Sequence, residues 1–264
     1  MLNKNYIDKS RFDKLRNNRK SLPLHPLVDY LNSYVDHTSV SKMDLKNKIR
    51  SIYDQGQIGS CTANAVCQSM RMCQKYQDFE PSRLFLYAKE RLAEGETTLS
   101  DSGADAEDGL EQLKNYGVCP ESDWPYDESK VNVVPPSNCD VDALNYKVHT
   151  IGRICSDYAN SSTKINGIKK SIIAGIPILI GIEVYSSFES EQVAQTGDVP
   201  IPLPDEECVG GHEVLIIGFD DENKKFILVN SWGVNWGNQG YFTLDYDYVT
   251  NTQLSSELIM ITSA

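Results

Sequence analysis

The stretch Asp54-Gln55-Gly56-Gln57-Ile58-Gly59-Ser60-Cys61-Thr62-Ala63 is a glycine-bearing turn that runs directly into a helical pattern, with one cysteine at the junction. From Thr62 onward the apolar residues fall at Ala63, Val66, Cys67, Met70 and Cys73, the three- and four-residue steps of a helix with one buried face. The spacing predicts a helix that runs to about Gln77 and holds Cys61 in its first turn. There the unpaired N–H groups and the positive end of the macrodipole favour an anion. A thiolate is an anion, and it is the attacking form of cysteine. Gln55, upstream across the turn, can aim its amide N–H at whatever the sulfur attacks. A side-chain amide and the Cys61 N–H directed at one point would form an oxyanion hole. A free cysteine is more often a small buried hydrophobe than a nucleophile, so the assignment depends on the rest of the chain.

Working outward, the 264 residues are 40% hydrophobic and 23% charged, a globular mix sufficient for one large domain or two small lobes. The net charge of −12 argues against nucleic-acid and anionic-membrane partners, whose affinity comes from cationic contacts. The most apolar run, Ile172 to Val184, is interrupted by Gly175, Pro177 and Gly181, which argues against a membrane span. The first twenty residues are too polar for a signal peptide, so synthesis in a cytoplasm is expected. Seven cysteines with neither a CxxC pair nor a histidine cluster suggest a reduced compartment and no structural zinc. No cofactor is expected.

Residues 1–40 are polar, then proline-rich around Leu22 to Leu27, with a short helix possible over Arg11 to Arg19. They read as an extension that either trails from the core or straps across a cleft, since extended proline-rich segments suit grooves. Helices are predicted over Pro81–Arg91 and Asp108–Tyr116, the latter ended by Gly117. Trp124-Pro125-Tyr126 and Pro135-Pro136 mark an irregular connection. Beyond about residue 145 strands predominate: Tyr146–Arg153, Pro177–Val184, Glu213–Phe219, Lys225–Asn230 and Gly240–Leu244, with a helix over Ile165–Ala174. The expectation is an α+β protein with a leader (1–40), a helical lobe (41–145) and a β-rich lobe (146–264).

A cysteine nucleophile needs a base, and the base needs an orienting group. Of four histidines, His25 and His37 lie in the leader and His149 inside a predicted strand. His212 follows Val209-Gly210-Gly211 at the edge of the apolar strand Val214–Gly218, which would hold it rigidly at a cleft. Asn230 closes the next strand and opens Asn230-Ser231-Trp232-Gly233-Val234-Asn235-Trp236-Gly237. Side by side, the two strands would bring the Asn230 oxygen to one imidazole N–H and leave the other nitrogen for the sulfur. Trp232 could then cover that bond.

Gln55, Cys61, His212 and the Asn230-Ser231-Trp232-Gly233 run, with Trp236-Gly237 and Gly240-Tyr241, resemble the papain-like (cathepsin-type) cysteine peptidases. In that family one cysteine precedes its histidine and asparagine by roughly 130–150 residues. Here the intervals are slightly longer, as an insertion around Ser186 to Cys208 would produce. The resemblance covers about residue 41 to the end. It implies a helical left lobe and an antiparallel β-barrel-like right lobe with the cleft between them. It also implies Cys61 as nucleophile beside Ser60, His212 as its partner, Asn230 as orienter under Trp232, and Gln55 in the oxyanion hole. Ser102-Gly103-Ala104 resembles the loop whose main chain pairs with substrate. Ala104 and Asp105 would join Gly103 and Gly211 in lining the cleft, and Trp236 would stand on the leaving-group side.

There are departures. Ile58 stands where the family has a cysteine before the nucleophile, and Thr62 where it has an aromatic residue. Both partners of the family's usual disulfides cannot be placed, while a new pair such as Cys155 with Cys208 stays open. Asp105, Glu107 and Asp108 would form an acidic rim favouring basic or small substrate side chains. The paired-histidine loop of carboxydipeptidases has no counterpart, which implies an endopeptidase. The short leader resembles that of compact bacterial and large-DNA-virus peptidases and implies a zymogen, with Leu22 to Leu27 nearest the groove. The partners implied are a peptide or protein substrate and the chain's own N-terminal segment, with the protein a monomer and cytoplasmic at synthesis; retention in the cytoplasm, packaging in a virion and export by a non-classical route all stay open. A catalytically silent peptide binder and an acyl-transfer or isopeptide-cleaving enzyme are the alternatives.

Overall fold

In the computed structural model, residues 7–9, 39–156 and 158–263 are described. The expected helix over Arg11–Arg19 and the segment Leu22–Leu27 lie outside them. The run Val214-Leu215-Ile216-Ile217 lies within the longest strand, β5 (Cys208–Asp220), whose apolar side chains are buried on both faces. A strand buried on both faces reads as continuous rather than alternating hydrophobicity. With β3 (Thr150–Arg153), β4 (Ile178–Tyr185), β6 (Lys225–Val229), β7 (Tyr241–Asp245) and β8 (Ser255–Ser263), it forms an antiparallel path in the order β3-β8-β4-β5-β6-β7. Two short strands, β1 (Ile7–Asp8) and β2 (Lys42–Asp44), pair with β5 outside that path.

The register decides where the groove lies. β4 covers one edge of β5 from Cys208 to Ile216, and β6 covers the other edge from Leu215 onward. Because β6 ends opposite Leu215, the β5 edge at Gly210–Gly211 lies beyond it. There β1 takes the place, with Ile7 opposite Gly211 and Asp8 opposite Gly210.

The front half is helical. α1 (Cys61–Met72) packs against α2 (Arg83–Ala93), α3 (Ala106–Asn115) and β5. Being enclosed on all sides, it buries all twelve residues, not the single face the periodicity predicts. Two of its buried polar side chains reach carboxylates, Arg71 the half-exposed Glu80 at 3.1 Å and Thr62 the buried Glu90 at 2.8 Å. The helix also stops short of the predicted Gln77. Cys73 is extended (ψ 136°), and a 3₁₀ turn over Gln74–Tyr76 follows.

α2 begins after Ser82, whose hydroxyl accepts the Phe85 N–H, and α3 after Asp105, which accepts from Glu107. Gly117 closes α3 with φ +81°, as expected of a residue in this position. Further on, α4 (Ser137–Ala143), α5 (Ser161–Ile173), α6 (Glu191–Thr196) and α7 (Tyr246–Thr250) complete the helices of the described residues. The strand expected over Tyr146–Arg153 is confined to Thr150–Arg153, while β8, α4, α6 and α7 were not predicted. None of the seven cysteines is in a disulfide, so the pair left open, Cys155 with Cys208, does not form.

A Cβ at position 117 would lie 1.9 Å from the Ala143 carbonyl oxygen, on top of an unfavourable φ. Gly117→Ala should lower the unfolding free energy by about 2 kcal/mol or more. A wild-type urea midpoint for that variant would show that the α3–α4 contact yields freely.

Candidate active site

The turn before α1 is held from several directions. Gly56 adopts φ +64°, and its N–H donates to Asp54 Oδ1 at 2.9 Å. Gln57 N–H donates to Glu128 Oε2 at 2.7 Å and Gly59 N–H to Asp101 Oδ1 at 2.9 Å. Gln55 donates its backbone N–H to Ser231 O at 2.8 Å and accepts Ser231 Oγ on its side-chain oxygen at 2.6 Å. With the oxygen so fixed, the amide nitrogen is oriented, and one of its N–H groups meets Ile58 O at 3.0 Å.

Cys61 is the first residue of α1 and is fully buried. The backbone groups of Glu213, the residue after His212, and of Thr62 act on its sulfur in the direction that favours the thiolate. His212 is 1% exposed on β5. Its Nε2 lies 2.7 Å from Asn230 Oδ1. Asn230 Oδ1 also accepts the Ser231 N–H at 2.8 Å, and an amide oxygen can only accept, so the imidazole proton sits on Nε2. Nδ1 carries the lone pair and has no hydrogen-bond partner among the described residues. Trp232 stacks on the ring at 4.8 Å between centroids, covering the bond as expected. Trp236 belongs to the same aromatic cluster, 5.0 Å from Trp232 and stacked on Phe188 at 5.6 Å. The structure thus brings Gln55, Ser60, Cys61, Gly211, His212, Asn230, Trp232 and Trp236 into one region.

The other wall differs from expectation. Gly103 (φ +76°) faces the groove, where a Cβ would lie 2.8 Å from the Ile7 side chain. Its N–H, however, donates to the Tyr87 hydroxyl at 2.9 Å instead of facing a substrate. Ala104 is buried. Asp105 does not line a rim: its carboxylate caps α3 through the Glu107 N–H at 2.9 Å. Glu107 is buried against Arg153 at 2.5 Å. Two of the three carboxylates expected on the rim, Asp105 and Glu107, are therefore turned inward, serving a helix N-terminus and an ion pair, while Asp108 is half-buried.

The helix position alone predicts a lowered thiol pKa, but the structure gives the opposite direction. Burial pushes Cys61 up to about 12, helped by the Glu213 and Glu90 carboxylates and opposed by the two backbone groups. Burial pushes His212 down to about 4, against its bond to Asn230. Both effects favour a neutral thiol and a neutral imidazole. Ile7, which packs on Cys61, is part of the cover. Glu90, fully buried behind the turn, is also pushed well above the usual carboxylate range, mainly by burial.

Sequence reasoning missed Ile7, Arg83, Glu90, Tyr126 and Glu213, and gave Ser231 no role beyond its place in the Asn230–Gly233 run. The one available signal was the Trp124-Pro125-Tyr126 run, an aromatic pair in an otherwise irregular connection. No group of three or more His, Cys, Asp or Glu side chains among the described residues is placed to hold a metal ion. None of their helices is long and apolar enough to cross a membrane.

Residues 37–262 match the papain family of cysteine proteases. An uncharacterized peptidase C1-like protein of Acanthamoeba polyphaga mimivirus is 40% identical over 215 residues, 79% of this chain and 68% of that protein. A viral cathepsin of Adoxophyes honmai nucleopolyhedrovirus is 27% identical over 202 residues, and the chain spans 54% of its length. Among solved structures, xylellain, a cysteine protease from Xylella fastidiosa, superposes with a TM-score of 0.82 at 31% identity. The match covers 99% of this chain and 96% of xylellain.

The depressed His212 pKa fixes a sign. Between pH 6.5 and 4 the unfolded chain protonates this imidazole and the folded chain does not, so its stability contribution is present above 6.5 and lost as pH falls toward 4. The fall in unfolding free energy from pH 7 to 4.5 should be smaller by about 2 kcal/mol in His212→Gln than in the wild type. Equal falls in the two proteins would mean that His212 is not held neutral.

Proposed function

The chain belongs to the papain family of cysteine proteases, and from that premise we propose that it is an endopeptidase acting through Cys61, His212, Asn230 and Gln55. The observation that carries this reading is the Nε2–Asn230 bond on the residue adjoining the backbone that acts on the Cys61 sulfur. It leaves Nδ1 as the basic nitrogen. In the proposed reaction Nδ1 takes the thiol proton and the sulfur attacks the scissile carbonyl carbon. The oxygen that becomes negative is met by the Gln55 amide and the Cys61 N–H. Collapse breaks the C–N bond, the amine leaves with the proton from Nδ1, and a thioester remains. His212 then takes a proton from water, the hydroxide displaces the sulfur, and the acid leaves as the thiol is restored.

The N-terminal segment supplies the restraint in this proposal. Ile7–Asp8 occupies the β5 edge at Gly210–Gly211, with the Ile7 side chain against Cys61 and Gly103. A peptide cannot lie along that edge at the same time. The part of the leader assigned to the groove is therefore Ile7–Asp8, while Leu22–Leu27 lies outside the described residues. The two-lobe division at about residue 145 belongs to the same proposal: Cys61 comes from the helical side and His212 with Asn230 from the sheet. Peptide or protein substrates follow from the family; a monomer and a cytoplasmic origin with virion packaging or non-classical export remain part of the proposal.

Once the leader is removed, an epoxysuccinyl peptide should label Cys61 and no other cysteine. Cys61→Ser should remove peptidase activity altogether. A chain beginning at Ser39 should hydrolyse peptides at least about tenfold faster than the full chain, since a tenfold change corresponds to only ~1.4 kcal/mol of cover. Equal rates would end the restraint, and labelling at another cysteine would end the assignment of the nucleophile.

A further inference from the structure

An oxyanion hole works only if its donors stay where the charge develops, and a displacement of about 1 Å can cost a hundredfold in rate. The Gln55–Ser60 turn contains two glycines, so something must hold it. The phenol of Tyr126, 66 residues from Ser60 in sequence, does so at a single atom. Its oxygen lies 2.9 Å from Gln55 O and 2.5 Å from Ser60 Oγ. A carbonyl can only accept, so the phenolic proton goes to Gln55 O. The Ser60 hydroxyl must then donate to the phenol, and it accepts in turn from Asn64 Nδ2 at 3.0 Å. Both ends of the turn meet on one oxygen. The same commitment explains why Ser60, at the N-cap position of α1, makes no side-chain cap.

Arg83 holds the phenol in place. Its guanidinium lies between the rings of Tyr126 (3.9 Å to the centroid) and Tyr53 (4.3 Å). One nitrogen donates to Asp54 O at 3.2 Å, just before the turn, and to Asn64 Oδ1 at 3.0 Å, just after it. Tyr126 N–H is anchored on Glu121 Oε1 at 2.7 Å, and that same oxygen lies 3.9 Å from the guanidinium. Neither side chain reaches the sulfur, the imidazole or the Gln55 amide in any of these contacts.

We infer that Tyr126 and Arg83 form a positioning clamp that sets the oxyanion turn. This inference rests on the assignment of Gln55 to the oxyanion hole. The clamp acts on transition-state stabilisation, not on thiol reactivity, and that distinction is measurable. Iodoacetamide alkylates a thiolate without forming an oxyanion, so its rate at Cys61 reports exposure and ionisation of the thiol but not the oxyanion turn.

In the full chain, Tyr126→Phe removes one oxygen and little volume. It should lower kcat for peptide hydrolysis about tenfold or more, with KM within about twofold and Cys61 alkylation unchanged. Arg83→Met should act in the same direction. Gln55→Ala is the reference, expected to lose about a hundredfold. A Gln55→Ala loss with Tyr126→Phe at the wild-type kcat would overturn the clamp. So would alkylation falling in step with kcat, which signals general loosening. If Gln55→Ala itself kept the wild-type kcat, the oxyanion assignment would fail and take the clamp with it.

Discussion

Two hydrogen bonds between Gln55 and Ser231 join the helical front of the chain to its sheet, and the geometry of the site depends on them. The Gln55 N–H meets Ser231 O, and the Ser231 hydroxyl meets Gln55 Oε1. They belong to a short ladder in which Gly233 N–H donates to Tyr53 O and Asp54 bridges Trp232. Ser231 adjoins Asn230, which holds the imidazole, and Gln55 sits at the head of the turn that ends in Cys61. One seam therefore sets the sulfur, the amide and the histidine relative to each other. Gly233 has to be glycine here: its φ is +73°, and a Cβ would lie 2.9 Å from the Asp54 carboxylate.

The electrostatics around this seam divide between geometry that favours a thiolate and cover that opposes it. The start of α1 and the backbone groups of Glu213 and Thr62 favour the thiolate. Against them stand complete burial and two carboxylates, and burial is the larger effect. Desolvation disfavours the charged form of either group, so the same cover raises the thiol and lowers the imidazole. A site in this state is assembled but held neutral. In the proposed reaction, displacement of Ile7 by a polar peptide would relieve the dominant effect.

How much of this was legible in the sequence follows from range. The Cys61 helix start, the apolar β5 run and the Asn230 strand end are local patterns found near their predicted places, whereas His212, expected at a loop–strand boundary, lies inside β5, which already begins at Cys208. Gly117 was readable because a helix end needs φ > 0 within one residue. What failed was long-range. Asp105 and Glu107 looked like an exposed acidic rim because their partners, a helix terminus and Arg153, are not visible in the local pattern. The pattern does not mark β8 although Leu258-Ile259-Met260-Ile261 is apolar; its ladder is irregular, and Glu257 has φ +67°. Tyr126 gave only a turn signal, since its role depends on Gln55 and Ser60.

The position of Ile7 shows why a polar leader needs an apolar residue at this point. β6 stops opposite Leu215, which leaves the Gly210–Gly211 edge of β5 without a neighbour from the sheet path. An uncovered edge is a template for any extended chain, because its N–H and C=O groups are already aligned. Across from it Gly103 offers a surface without a Cβ, and between them lies the thiol. A branched aliphatic side chain fills that gap and removes water from the sulfur, while its backbone completes the edge. In the proposed reaction a substrate needs the same edge and the same gap, so leader and substrate compete for the same hydrogen bonds and the same apolar contact. In that proposal the restraint comes from two residues in register with two glycines and one side chain against the cysteine.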